Sequence, residues 1–447
     1  MTGMTIEKAL KACGGQYSGE GGLSRELGRV VIDSREVRPG DLFVAYKGEK
    51  ADGHDYISAA LDRGAACCLA ERVPEGERRG VIVVGDVQTA LEDIAASYRD
   101  TLSLPIVGIT GSVGKTSAKE MISAVLSSRW KVCKTDKNLN NQIGVPMTLS
   151  RITPEDEAAV VEMGISGFGE MTRLARMVRP RIAVYTLIGH AHLEFLHDLD
   201  GVRRAQTEMI GFLPEDGLVI MNGDDQKLQG YDCPRRRIFF GLGENCDVRA
   251  ENIVSKGEGT DCVILSGTRR FGIHIPAFGR HLVYAALEAT AVGMEMGLSD
   301  EEIARGIASF ATVGRRAAVV RTDKLTLLDD CYNSNAEALR SGIDSLLELP
   351  GRHVCIVGDM LELGDTAWDA HYSSGAYAAE KGVARLLCCG EHAGAYCAGA
   401  GAIARRFPDR SALIAALNEE IREGDCVLVK ASRGARFEEI SEALKVL

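Results

Sequence analysis

Residues 105–117 read PIVGITGSVGKTS. The run Ile106, Val107 and Ile109 breaks into Gly111, Ser112, Val113 and Gly114, and Lys115, Thr116 and Ser117 open a segment with helical apolar spacing. This is a strand, a tight glycine turn and a helix start. In such a turn the glycines let backbone N–H groups converge on a phosphate, and the helix N-terminus adds positive potential. A lysine there reaches the terminal phosphates, and a hydroxyl beside it can hold Mg²⁺. The stretch predicts a nucleoside triphosphate cradle. Its spacing is the compressed T-G-x-x-G-K-T of residues 110–116; the longer G-x-x-x-x-G-K-[ST] form wants glycine where this chain has Ile109. A structural turn that merely ends in Lys-Thr is the plainer alternative, and the flanking strand and helix argue against it.

At 447 residues the chain is too long for one ordinary core, and about three domains are expected. The net charge of -11 argues against nucleic acid as the main partner, because binding duplex phosphates takes a concentrated basic surface. The N-terminus MTGMTIEKALKACGG lacks a basic segment followed by an apolar core. No stretch approaches the roughly 18 apolar residues of a membrane span, so a cytoplasmic protein is expected. The thirteen cysteines are scattered, with adjacent pairs at Cys67-Cys68 and Cys388-Cys389 and no C-x-x-C; buried free thiols are expected.

The expected fold class is α/β in three domains: a small α/β front domain (1–103), a central P-loop ATPase-type domain with a parallel sheet (104–312), and a C-terminal Rossmann-like domain (313–447). In the front domain, apolar runs at 30–32, 42–45 and 81–84 are punctuated by Asp33-Ser34-Arg35, Pro39-Gly40-Asp41, Lys47-Gly48-Glu49 and Asp52-Gly53-His54-Asp55. An arginine and several polar donors after strand ends suit an anionic, sugar-like ligand. Ordinary turn chemistry explains each segment better when it is taken alone.

In the central domain an amide-rich segment at 137–146 is too polar for a strand, and a buried strand follows at 158–163. Glu162 lies near the C-terminal end of that strand, where ligands collect in parallel sheets, which suits a metal-facing role. A second strand, 182–188, runs into Gly189-His190-Ala191-His192-Leu193-Glu194. A zinc cluster of His190, His192 and His197 lacks a cysteine or H-E-x-x-H partner. One histidine contacting Mg²⁺ beside phosphate is the stronger functional reading, and a histidine bonded within its loop the structural one. Residues 246–270 read as irregular β structure. In the last domain, strands at 325–328, 354–357, 386–389 and 427–429 alternate with helical patterns, which predicts a second parallel sheet. No dinucleotide glycine fingerprint follows its first strand.

Taken in order, ITGSVGKTS, KNLNNQIGVP, EMGISGFGEM, IGHAHLE, GRRAAV, DDCYNSN, GDMLELG and VKASRG resemble the Mur ligases, which build the cell-wall peptide. The resemblance runs along almost the whole chain, including DSREVRPGDLFVAYKGEKADGHDY. Within the family it is similar to the branch that joins D-alanyl-D-alanine to UDP-N-acetylmuramoyl-tripeptide. EMGISGFGEM and GDMLELG separate that branch from other amino-acid-adding ligases and from folylpolyglutamate synthases.

The resemblance implies an ATP-dependent peptide ligase, and a monomer is expected. A substrate carboxylate attacks the γ-phosphate of ATP, and the dipeptide amine then displaces phosphate from the acyl phosphate. It implies that Gly111, Gly114, Lys115 and Thr116 cradle the phosphates and that Thr116, Glu162 and His192 organise Mg²⁺. Arg315 is implied to reach the transferring phosphate from the last domain, where a planar cation suits the developing charge. Asp330, Asn333 and Asn335 are implied to meet the nucleotide. Ser34, Arg35, Asp52 and His54 would bind the UDP-sugar peptide, and Asn140 and Asn141 would line the cleft between substrates.

Four positions depart from the family pattern: Leu187 replaces an asparagine, Gln206 replaces a lysine that family members carbamylate as a ligand of a second Mg²⁺, and Leu282 and Ala285 replace two adenine-side asparagines. A neutral amide is a poorer ligand for a hard cation than a carboxylate-like group, and nearby Glu208 is the candidate to compensate. Two readings follow: a working ligase with a remodelled metal site, or a catalytically weakened paralogue that binds UDP-peptide or nucleotide as a regulatory protein.

Overall fold

The computed structural model describes residues 1–48, 51–256, 259–312, 314–316 and 318–447. Glu49 and Lys50 of the front motif, and Val313 and Ala317 near the start of the last domain, lie outside the described residues. Three domains follow one another, each built on its own sheet.

The central sheet has nine strands in the order Arg269–Ile275, Gly259–Ser266, Val248–Lys256, Arg236–Gly241, Leu218–Asn222, Ile182–Tyr185, Ile106–Thr110, Ala158–Glu162 and Val132–Lys134. Its middle is parallel and buried on both faces. Val107, Ile109, Val160 and Val184 enter one core, while Ile106, Val161, Ala183 and Tyr185 enter the other, as a two-residue side-chain period dictates. Helices Lys115–Leu126, His281–Glu295 and Asp300–Ala308 supply residues to the first core; Glu170–Val178 and Leu199–Thr207 supply the second. With both faces covered, chemistry is directed to the C-terminal strand ends, where Thr110, Glu162 and Thr186 sit.

Within 246–270, expected to be irregular β structure, Val248–Lys256, Gly259–Ser266 and the start of Arg269–Ile275 form paired antiparallel strands that extend this sheet. The alternation is hidden in sequence because the register shifts between Glu251 and Val254, beside the left-handed Asn252 (φ 53°).

The front sheet orders Gln16–Ser18, Val81–Val83, Cys67–Ala70, Leu42–Val44 and Val30–Val31. Helix Val87–Arg99, capped by Asp86, ties this domain to the central one. The Tyr98 hydroxyl donates to the Ile152 carbonyl at 2.6 Å, and Arg99 Nε donates to the Val178 carbonyl at 2.8 Å. The last domain has the order Ala318–Arg321, Leu325–Asp329, Asp425–Lys430, Arg352–Val357, Arg385–Cys389 and Ala404–Phe407, antiparallel only at the first edge. Cys67, Cys68, Cys388 and Cys389 are free, buried thiols. No helix among the described residues is long and apolar enough to cross a membrane.

Candidate active site

Strand Ile106–Thr110 delivers the chain into the glycine turn, and helix Lys115–Leu126 leaves it. Gly111 has φ 146°, and a Cβ there would lie 1.9 Å from Thr186 Oγ1, so only glycine fits. Gly114, left-handed at φ 89°, starts the helix with no side-chain cap, which leaves the first-turn N–H donors free for an anion. The loop is buttressed from the next strand end: Ser112 N donates to the Leu187 carbonyl at 2.7 Å, Ser112 Oγ accepts from Gly189 N at 2.9 Å, and Thr186 Oγ1 donates to the Val113 carbonyl. Lys115 folds back so that its Nζ donates to the Gly111 carbonyl. Burial lowers the pKa of its ammonium; Glu162 opposes the shift and the charge of Arg316 adds to it.

Glu162, 1% exposed, collects the donors next to that loop. Thr116 Oγ1 donates to its carboxylate at 3.0 Å, Asn140 Nδ2 donates at 2.7 Å, and Lys119 Nζ stands 3.8 Å away. Lys119 also pairs with Glu120 at 3.0 Å. Sequence reasoning missed Lys119 because a lysine in an amphipathic helical pattern reads as solvated. Asn140 and Asn141 part company: Asn141 is exposed, and its Oδ1 accepts from Ile143 N and Gly144 N at 3.2 and 2.9 Å, a cap on helix Gly144–Leu149.

His192 lies outside the Thr116–Glu162 hydrogen-bonded cluster. It is left-handed (φ 56°) at the start of the short helix Leu193–Leu196, and its Nδ1 meets the Glu362 carboxylate of the last domain. His190 Nδ1 makes the same kind of pair with Glu337. Burial lowers the pKa of His192; Glu362 opposes this and Lys115 adds to it.

The two arginines of Gly314-Arg315-Arg316 separate. Arg315 does not reach the cradle: it is held at 3.1 Å by Asp329 and at 2.6 Å by Glu442, carboxylates of its own domain. Arg316 instead lines a small space with Thr116, Ser117 and Glu120 beside the loop helix. Behind them Lys430, 2% exposed, pairs with Asp330 and donates to the Asn333 carbonyl at 3.1 Å. The Asn335 side chain is spent as the cap of helix Ala336–Leu347. His281, at the start of the helix it opens in the central domain, feels both Asp330 and Lys430, although burial dominates and lowers its pKa.

In the front domain Asp52 and His54 are locked together. His54 is 3% exposed; its Nδ1 bonds Asp52 at 2.6 Å and its Nε2 accepts from Glu71 N at 3.0 Å. Freeing such a buried group costs about 1–3 kcal/mol, so both residues read as structural and not as ligand contacts. Arg35 is solvent-facing and, among the described residues, pairs only with Asp33 at 2.6 Å; Ser34 lies between them.

Among the described residues, Asp359, His371 and His392 come close enough to hold a metal ion. Both His371 nitrogens are already used, by Met360 N and the Ala367 carbonyl, and Asp359 accepts from Glu391 N and His392 N. The cluster closes strand ends.

Residues 26–99 match the Mur ligase family, catalytic domain; 109–293 the Mur ligase middle domain; and 315–433 the Mur ligase, glutamate ligase domain. The UDP-N-acetylmuramoyl-tripeptide–D-alanyl-D-alanine ligase of Bacillus subtilis is 36% identical over 428 residues, covering 93% of this chain and 92% of the relative. The chain belongs to the Mur ligase family. The enzyme of the same name from Escherichia coli is 35% identical over 100% of this Mur ligase and 99% of its own length. A crystal structure of MurF from Acinetobacter baumannii superposes with a TM-score of 0.92 at 28% identity, covering 99% of both chains. The MurF ligase from Thermotoga maritima in complex with ADP gives 0.84 at 27% identity, covering 94% of this chain and 97% of that one.

In this Mur ligase Gln206, 4% exposed, faces the cradle from helix Leu199–Thr207: its Nε2 lies 3.4 Å from Ser112 Oγ, and its Oε1 is buried without a partner. Glu208 does not compensate. Its carboxylate accepts from Gly169 N, Thr172 N and Thr172 Oγ1 at 3.2, 3.0 and 2.8 Å, because Gly169 starts helix Glu170–Val178 with no side chain of its own to cap it. Leu282 and Ala285 are packed in the central core.

Proposed function

We propose that this chain joins D-alanyl-D-alanine to UDP-N-acetylmuramoyl-tripeptide, using ATP, and yields the UDP-muramoyl-pentapeptide of peptidoglycan synthesis. The observation that carries the reading is that Arg316, from the last domain, meets the loop helix at Thr116, Ser117 and Glu120, near enough to Lys115 for its charge to lower that lysine's pKa. Two cations from separate domains suit a triphosphate held between them, where catalysis is mainly positioning and charge neutralisation.

In the first step a carboxylate oxygen of the tripeptide attacks the γ-phosphorus, an O–P bond forms, and the bond to the leaving ADP oxygen breaks. In the second, the dipeptide amine attacks the acyl carbon, the C–N bond forms, phosphate leaves and the amine proton is released. The loop N–H groups and Lys115 hold the β- and γ-phosphates, and Arg316 takes the place foreseen for Arg315 at the transferring group. Thr116 Oγ1 and the Glu162 carboxylate, paired at one strand end, are hard oxygen donors that fit Mg²⁺; Gln206, beside Ser112 of the loop, and His192, at the domain seam, would join them only by moving, His192 by leaving its contact with Glu362. The bound ion would neutralise charge on the phosphates.

Asn140 orients Glu162, and Asp330 and Asn333, held by Lys430, flank the nucleotide. Residues 1–103 would bind the UDP-sugar peptide, with Ser34 and Arg35 as its contacts. We infer a monomer acting in the cytoplasm, where ATP is supplied. Phosphate release, measured with each of the three substrates omitted in turn, tests the reading. Release that requires all three is expected; release no faster with all three than with ATP alone overturns it and favours a binding protein.

A further inference from the structure

Tyr332 follows strand Leu325–Asp329 at the end that faces the central domain. Two separate segments converge on its ring: the Arg316 guanidinium lies 4.1 Å from the ring centroid and the Arg433 guanidinium 5.0 Å. Neither arginine has a carboxylate partner among the described residues. Arg315, one residue from Arg316, has two. The difference is chemical. An arginine held by carboxylates has spent its N–H groups and its charge, whereas one over an aromatic face keeps its charge and most of its N–H donors.

The ring itself sits on a rigid base. Asp330 N donates to the Val429 carbonyl at 3.0 Å, Cys331 is 3% exposed, and Asn335 starts the next helix as its cap. Two like charges beside one ring repel each other, and an anion between them would relieve that repulsion.

We propose that Tyr332 is a positioning residue: its ring holds Arg316 and Arg433 as an unneutralised guanidinium pair for the transferring phosphate. The proposal rests on the ATP-dependent reading above. Tyr332 acts through the arginines and touches no reacting atom.

The test is a double-mutant cycle with a ring-retaining control. Tyr332→Leu should lower kcat by about 10- to 100-fold, less than the roughly 100- to 1000-fold that outright loss of an aligned donor costs because both arginines remain, and Tyr332→Phe should keep it within about threefold of wild type. Arg316→Met combined with Tyr332→Leu should be no worse than Arg316→Met alone, because the second change acts on a group already gone. Effects that multiply, a Tyr332→Phe as damaged as Tyr332→Leu, or a Tyr332→Leu with unchanged kcat each overturn the proposal. Should Tyr332→Leu fail to fold, Arg433→Met in the intact chain carries the test: a fall in kcat with an unchanged thermal midpoint supports the pair, and an unchanged kcat overturns it. Titration of pyrophosphate by calorimetry separates the failures. Wild type that binds it more tightly than Tyr332→Leu supports the pair even if no ligation is found, and equal binding counts against it.

Discussion

Gln206 carries an amide oxygen that no group among the described residues satisfies, next to the hydroxyl of Ser112. An unmet buried acceptor costs about 1–3 kcal/mol, more than a 3.4 Å contact returns. Gln206→Leu should therefore raise the stability of the ligand-free protein by up to about 1 kcal/mol in urea denaturation while lowering turnover; a loss of stability would show that the bond to Ser112 matters more. Around this residue, Lys115, Thr116 and Glu162 were legible in sequence because loop spacing and a strand-end carboxylate constrain them. Lys119, Arg316 and Lys430 were not, since a cation on a helix or turn has the pattern of a solvated surface until the partner carboxylate arrives from a distant strand. Asp52 and His54 show the reverse ambiguity: a capping turn and a binding turn use the same residue types, and here the pair makes the capping bonds.

At the scale of elements, the buried parallel strands could be read from their β-branched runs. The edge strands Gln16–Ser18, Ala318–Arg321 and Ala404–Phe407 could not, being short and half polar. The turn before strand Val81–Val83 makes a specific pH prediction. Glu77 accepts from Arg78 N, Arg79 N and the Ser58 hydroxyl, and the Arg79 guanidinium at 2.6 Å holds its carboxyl down at about 2, against an ordinary 4.5. A carboxylate held down stabilises the fold where the unfolded chain is also ionised and loses that contribution on acidification. The stability gap between wild type and Glu77→Gln should be full above pH 4.5 and close as the pH falls toward 2. A gap that is constant across this window, measured by urea denaturation at each pH, would contradict it.

For the molecule as a whole, the two seams differ in strength. The front domain is tied to the central one by the buried Tyr98 and by Arg99, whose guanidinium serves three carbonyls. The last domain is joined through the pairs His190–Glu337 and His192–Glu362, with side chains 25–50% exposed and each worth about 0–1 kcal/mol, through the Ser255–Glu348 bond, and at one buried point, Phe278, which packs in the last domain's core. The last domain should therefore swing while the front one stays put. Small-angle scattering should show a smaller radius of gyration when a non-hydrolysable ATP analogue with Mg²⁺ and UDP-muramoyl-tripeptide are added, and unchanged dimensions would count against hinged closure. The departures at Leu282 and Ala285 belong to this scale too: both side chains pack in the core and offer a nucleotide base no polar group.

The two-domain grip on a triphosphate has one chemical signature. If the tripeptide carboxylate attacks phosphorus, one of its oxygens leaves with the phosphate. With UDP-muramoyl-tripeptide labelled with ¹⁸O in the reacting carboxylate, mass spectrometry of the released phosphate should find one labelled oxygen per pentapeptide formed; unlabelled phosphate accompanying product would contradict the account.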